Sequence, residues 1–171
     1  ADDLGIDTIH QYLARLGFGV KTGIDLPSES EGIAPSRDWK KKRFGVSWYR
    51  GDTISVGIGQ GYNLVTPLQL AVATAGIANG HSLIQPALVK KTGPTSALPL
   101  NISSQHIRVL KKAMEDVMKP GGTAGAAATG AAYTMAGKTG TAQVFSLNGE
   151  EYDEINIDEN LRDHALFIAY A

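Results

Sequence analysis

Cysteine is missing from all 171 residues, which excludes disulfides, thiolate metal sites and a cysteine nucleophile. That absence leaves the compartment open, because a cysteine-free chain serves on either side of a membrane. Long apolar runs are missing too. None approaches the roughly 18–20 residues that a spanning helix needs, and no charged-then-apolar leader opens the chain. Strong net charge is also lacking: 16 basic against 17 acidic residues leave a formal charge of -1, which argues against a basic nucleic-acid binder and an acidic disordered tail. The histidines, His10, His81, His106 and His164, are scattered, and none has a partner at metal-ligand spacing. No metal and no cofactor is expected.

What is present suits one globular domain. The apolar content of 43% is enough for a core, and 20 glycines imply many turns and close backbone approaches. Asp7 to Leu16 has helical spacing at Ile9, Tyr12, Leu13 and Leu16, with Gly17 as its stop. An irregular stretch is expected from Gly17 to about Asp52. It holds the basic run Lys40-Lys41-Lys42-Arg43 between Trp39 and Trp48, read as a solvated loop without a nucleic-acid partner. Ile54 to Tyr62 is so rich in glycine that it reads as a tight, buried loop. Tyr62 either packs in the core or approaches a cleft.

Thr66-Pro67 opens the clearest helix, through Leu68 to Ala78, and Asn79-Gly80 ends it. Leu83 to Lys91 holds one short strand at most, interrupted by Pro86. Ser103 or Ser104 caps a helix over about His106 to Lys119, with Ile107, Leu110, Met114 and Val117 on its apolar face. Thr123 to Ala128 is a small-residue turn of helix, Met135 to Phe145 a strand, and His164 to Tyr170 a second strand. Asn148-Gly149 between those strands is a hairpin signal, followed by an acidic stretch read as a solvated loop. The chain opens at Ala1-Asp2-Asp3 without Met and stops inside the apolar run Ala165 to Tyr170, so it reads as a fragment.

The sharpest local motif is Gly137-Lys138-Thr139-Gly140-Thr141-Ala142 on the first of those strands. A phosphate-binding loop would need glycine where Ala132 stands, and would open a helix rather than a strand. That reading predicts tight Mg-nucleotide binding. The other reading is the Lys-Thr-Gly element of penicillin-recognising serine enzymes. Lysine brings positive charge near a nucleophile and a carboxylate, threonine hydroxyls donate to the carboxylate, and glycine leaves room for a substrate along the strand. A bare triplet is weak, since Lys21-Thr22-Gly23 repeats it in a turn and is treated as a decoy.

The order of several motifs is more specific. Thr22-Gly23-Ile24-Asp25-Leu26-Pro27-Ser28-Glu29, Gly51-Asp52-Thr53, Ile58-Gly59-Gln60-Gly61-Tyr62 with Thr66-Pro67-Leu68-Gln69-Leu70-Ala71, the Lys138 motif, and His164-Ala165-Leu166-Phe167-Ile168-Ala169 follow one another along essentially the whole chain. In this order the chain resembles the class B penicillin-binding proteins. Trp48-Tyr49-Arg50-Gly51-Asp52 looks most like the penicillin-binding protein 2 branch, which serves cell elongation.

The resemblance implies an α+β fold of the β-lactamase/transpeptidase type: a mainly antiparallel sheet flanked by helices. Residues 1–171 would form an incomplete C-terminal portion of that single domain. It implies a peptidoglycan D,D-transpeptidase, with stem peptides ending in D-Ala-D-Ala and β-lactams as ligands. Carried over, Lys138 and Thr141 are the catalytic positions, and Lys138, Thr139, Gly140 and Thr141 bind substrate. The Thr141 backbone N–H is then an oxyanion-hole donor. A glycan-polymerising glycosyltransferase and the elongation machinery are the implied partners. The implied location is the periplasm, with an inner-membrane anchor upstream.

The nucleophile does not match within the chain. No serine or threonine is followed three places later by lysine, and Ser36 comes nearest with Lys40 four away. Ser36-Arg37-Asp38 and Ser146-Leu147-Asn148 fit the middle motif's pattern in the wrong places and read as chance. The Ser-x-x-Lys and Ser-x-Asn/Asp motifs are therefore expected upstream, and this segment alone is expected to be inactive. The alternative is a catalytically silent recognition or assembly module of the same fold.

Overall fold

A computed structural model describes residues 1–90, 93, 96–143, 158–159 and 162–171. Among the described residues five α-helices run in order: α1 (Gly5–Arg15), α2 (Arg37–Phe44), α3 (Arg50–Gly57), α4 (Pro67–Asn79) and α5 (Ser104–Val117). Strands β1 (Ser82–Ile84) and β2 (Ala97–Pro99) form one antiparallel pair, and β3 (Ala136–Ala142) and β4 (His164–Tyr170) form another. A 3-10 turn, Gly125–Ala128, precedes β3.

The capping chemistry explains the two long helices. Thr66 Oγ1 accepts from the Gln69 N–H, Gln69 Oε1 accepts from the Thr66 N–H, and Pro67 opens α4. Gly80 ends it in the left-handed conformation at φ 78°. Ser103 caps α5 in the same way, accepting from the His106 N–H. Between these helices Leu83, Leu100 and Ile107 form a buried cluster, with Leu16, Val72 and Ile102 packed against it. Gly76 is the point of close approach, since a Cβ there would lie 2.8 Å from Leu83.

Several expectations are corrected. The stretch from Gly17 to Asp52 contains α2, which lacks an apolar stripe and so left no periodic signal. Its ends are punctuated nonetheless: Ser36 Oγ accepts from the Trp39 N–H, and Gly45 closes the helix at φ 72°. Ile54 to Tyr62 is not a buried loop. Its first half belongs to α3, Ile54 and Ile58 are 49% and 73% exposed, and the glycine turn is confined to residues 59–61. In α1 the buried anchor is Ile6, while Tyr12 is exposed under the Arg15 guanidinium. In α5, Ile107 and Met114 are buried, but Leu110 is exposed and Met118 takes its place beyond the helix end. Strand β2 was not foreseen, being only Ala97–Pro99. The Asn148-Gly149 hairpin signal and most of the acidic stretch lie outside the described residues.

β3 and β4 pair over their whole length, from Ala136 opposite Tyr170 to Ala142 opposite His164. Ala136 and Gly137 are buried, and a Cβ on Gly137 would come 3.0 Å from the Ile168 carbonyl oxygen, the Met118 sulfur and the Phe167 ring. The start of β3 is thus wedged against β4 and the end of α5, while the rest of the strand emerges toward solvent.

Candidate active site

The Lys138 motif occupies that emerging part. Lys138, Gly140 and Thr141 are exposed and Thr139 is half-buried. Alternation along a strand puts Lys138 and Gly140 on one face and Thr139 and Thr141 on the other. Thr139 Oγ1 lies 3.2 Å from the Thr123 hydroxyl, just ahead of the 3-10 turn. A Cβ at Gly140 would meet only Leu166 Cβ, at an ordinary 3.8 Å. The protein itself therefore has room for a side chain at 140.

The orientation of the peptide groups follows from one hydrogen bond. The Thr141 carbonyl accepts from Gln60 Nε2 at 3.0 Å, so it points away from β4. In an antiparallel strand a residue's N–H and C=O point to the same side. The backbone groups of Thr139 and Thr141 therefore face the edge of β3 opposite β4, whereas Lys138, Gly140 and Ala142 bond to β4. Lys138 curls around to that same edge, where its ammonium donates to the Thr139 carbonyl at 2.5 Å. One strand edge thus gathers a cation, two threonines and outward-facing peptide groups. That combination suits an extended substrate carrying a carboxylate.

Gln60 sits in the turn between Gly59 (φ 80°) and Gly61 (φ 71°), a conformation that glycine adopts at least cost. The Gln60 N–H donates to the Ser55 carbonyl at 2.9 Å, tying the turn to the end of α3. Beneath it lies a cluster that sequence reading missed. Lys40 of α2 is 2% exposed, and its ammonium contacts Asp52 of α3 at 2.5 Å. The same carboxylate accepts from the Tyr49 N–H at 2.7 Å. Burial works against the Lys40 charge, but the hydrogen bond and charge of Asp52, with smaller electrostatic help from Tyr62 and Tyr49, hold its pKa above the ordinary lysine value. Tyr49, Tyr62 and Trp48 surround the ammonium at 4.4, 5.4 and 5.8 Å from their ring centroids. Tyr62 also packs on Trp39 and Phe44. Of its two expected placements it takes the packing one, two residues from the Gln60 contact. The signal was a lysine five before and an acid seven after the start of the Gly45-x-x-Trp48-Tyr49 stretch, too diffuse to read without the fold.

The decoy triplet is occupied by the protein's own carboxylate. Glu29 accepts from the Thr22 hydroxyl and N–H at 2.5 and 2.8 Å, and from the Gly23 N–H at 3.0 Å. Ser36 is a helix cap. No group of three or more His, Cys, Asp or Glu is placed to hold a metal among the described residues, and no described helix is long and apolar enough to cross a membrane.

Comparison with known proteins gives the family. The model of the penicillin binding protein transpeptidase domain matches residues 1–171. The chain is 41% identical to the peptidoglycan D,D-transpeptidase MrdA of Acinetobacter baumannii, across 100% of this chain and 27% of that protein. It is 40% identical to the protein of the same name from Escherichia coli K12, across 100% of this chain and 29% of that one. The chain thus spans less than a third of these curated relatives. Among solved structures it resembles PBP2 of Helicobacter pylori in complex with MreC, with TM-score 0.84, 34% identity, and coverage of 99% of this chain and 30% of that one. It also resembles Pseudomonas aeruginosa PBP2 in complex with WCK 5153, with TM-score 0.80, 36% identity, and coverage of 99% and 37%. The β-lactamase/transpeptidase-like fold expected from the motifs is the fold of these neighbours, present here in part. The chain belongs to the penicillin-binding protein transpeptidase domain family, on its penicillin-binding protein 2 branch.

Proposed function

We propose that this chain forms the Lys-Thr-Gly wall of the active site of a peptidoglycan D,D-transpeptidase. The observation that carries the reading is the β3 edge: Lys138, Thr139, Gly140 and Thr141 are exposed or half-exposed on a strand whose edge is open to an extended ligand. Thr139 and Thr141 hydroxyls bind the substrate's terminal carboxylate, and the Lys138 ammonium supplies positive charge beside it. The Thr141 N–H, turned to the open edge, is one donor to the developing oxyanion. Gly140 keeps the strand low under the ligand.

The nucleophile is a serine outside these residues. Its oxygen attacks the carbonyl between the last two D-alanines, the C–N bond breaks, and D-alanine leaves with the serine proton. An amine of a neighbouring stem peptide then attacks the resulting ester. The C–O bond breaks, the proton returns to serine, and the cross-link is made. A β-lactam opens at the same step and stays attached. The longer protein carrying this segment is placed in the periplasm on an inner-membrane anchor. It works with a glycan-polymerising glycosyltransferase and the elongation machinery, a reading supported by solved relatives in complex with MreC and in a peptidoglycan synthase complex.

The test is intact-mass analysis after incubation with a β-lactam, for this segment beside a longer chain containing it. The longer chain gains one adduct and the segment none. If neither gains mass, the fold serves recognition or assembly instead. A labelled serine within the segment would place the nucleophile wrongly.

A further inference from the structure

We propose that Gln60 is a positioning residue for the reaction at the β3 edge: its side-chain amide holds the Thr141 backbone with N–H and carbonyl turned toward the substrate. The inference rests on the transpeptidase reading above and adds a residue from outside the Lys-Thr-Gly strand. The contact joins positions 81 residues apart, Gln60 Nε2 donating to the Thr141 carbonyl at 3.0 Å. The free edge of a strand has no ladder to hold its peptide groups, so a single side-chain donor there sets their orientation. The carbonyl oxygen has two lone pairs and keeps one for a ligand N–H. The Thr141 N–H points to the same side and is free to receive the oxyanion.

The support behind Gln60 is built for a fixed position. Its N–H is bonded to the Ser55 carbonyl, and the Gly59 N–H to the Val56 carbonyl at 3.0 Å. A Cβ on Gly61 would lie 3.0 Å from Ser55 Cβ, so the turn closes tightly on α3. Tyr62 is held by Trp39, Phe44, Trp48 and the Lys40 ammonium. α3 is in turn pinned to α2 by Lys40 and Asp52. Helices α2 and α3 thus carry one glutamine to the edge of a strand far away in sequence.

The experiment is stopped-flow acylation by a chromogenic β-lactam, in the longer chain that contains this segment. The acylation rate constant and the preceding dissociation constant are resolved separately, and the thermal midpoint is measured for each variant. Gln60→Ala removes the donor. Gln60→Glu keeps shape and length but turns oxygen toward oxygen. Both variants are expected to slow acylation roughly three- to tenfold, the effect of one neutral hydrogen bond, with the dissociation constant and midpoint little changed. Gln60→Glu should be no faster than Gln60→Ala. Wild-type rates in both variants overturn the proposal. A slow Gln60→Ala beside a normal Gln60→Glu also overturns it, since bulk rather than the donor would then matter. Faster acylation in Gln60→Ala overturns it in the other direction, making Gln60 an obstacle. If the unmodified chain is not acylated at all, the transpeptidase reading itself fails and this inference falls with it.

Discussion

At the scale of single residues, the two glycines of the Lys138 motif serve different ends. Gly137 is enclosed: a Cβ would press on the Ile168 carbonyl, Met118 and Phe167 at 3.0 Å each. Gly140 has only Leu166 beside it, at 3.8 Å. Gly137→Ala is therefore expected to destabilise by about 1–3 kcal/mol, as overpacking does. Gly140→Ala is expected to leave stability within about 0.5 kcal/mol, as at an unconstrained surface position, while slowing β-lactam acylation. Denaturant unfolding and acylation rates of the two variants decide this, and a large stability loss at 140 would contradict the assignment of that space to the ligand. Sequence alone names both glycines but cannot separate them, because what a Cβ would meet is decided by β4 and α5.

Glu29 gives a second residue-scale expectation. The Thr22 hydroxyl, opposed by partial burial and aided by the Thr22 and Gly23 N–H groups and Lys21, holds its carboxyl below the ordinary glutamate range. A lowered folded pKa contributes stability that is complete above the unfolded value of about 4.3 and is lost as pH falls through the folded one. Carbon-13 titration should place the Glu29 midpoint below about 4.3, and Thr22→Val should raise it. A midpoint indifferent to Thr22→Val would show that the hydroxyl does not set it.

At the scale of elements, Gln69 ties α4 to the long loop before it. It is 1% exposed, its Nε2 donates to the Val20 and Glu31 carbonyls at 2.7 and 2.8 Å, and its Oε1 accepts from the Thr66 N–H. Gln69→Leu keeps most of the volume but leaves these part-buried groups without their partner, at up to about 1–3 kcal/mol for each one that water does not reach. The thermal midpoint should fall clearly, and an unchanged one would mean that water replaces the amide. α2 and α3 depend on Lys40 and Asp52 in the same sense. Lys40→Met leaves Asp52 without its cation and should lower the midpoint, and adding Asp52→Leu should recover part of the loss. Because the folded Lys40 pKa is raised, the pair's contribution is complete below the unfolded lysine value of about 10.4 and is lost only as pH climbs through the higher folded value. The caps of α4 and α5 were legible from Thr66-Pro67, Asn79-Gly80 and Ser103. α2 and α3 were not, because their stability comes from a partner in another element rather than from an apolar stripe.

At the scale of the whole molecule, the β3–β4 pair carries more apolar surface than it covers. Leu166 and Phe167 are 38% and 47% exposed, and a groove of about 390 Å³ runs between α4 and β4. An apolar strand of this kind is normally covered on both faces. The isolated 171-residue chain should therefore bind a hydrophobic fluorescent dye strongly, and a longer chain completing the domain should bind it weakly. Equal, weak dye binding by both would show that the segment covers this surface by itself.

The order of motifs along the chain was enough to identify the family, the fold class and the strand bearing Lys138, because each motif is a local run of residues whose chemistry survives without coordinates. So were the two capped helices, whose signals lie within a few residues of their ends. Tertiary structure decided the rest. It showed that the second Lys-Thr-Gly copy closes on Glu29, that the lysine of a basic run is buried under three aromatic rings, and that Gln60 reaches the Thr141 carbonyl. Each of these is a contact between residues that the chain brings together only on folding, and no local pattern records a partner that lies far away in sequence.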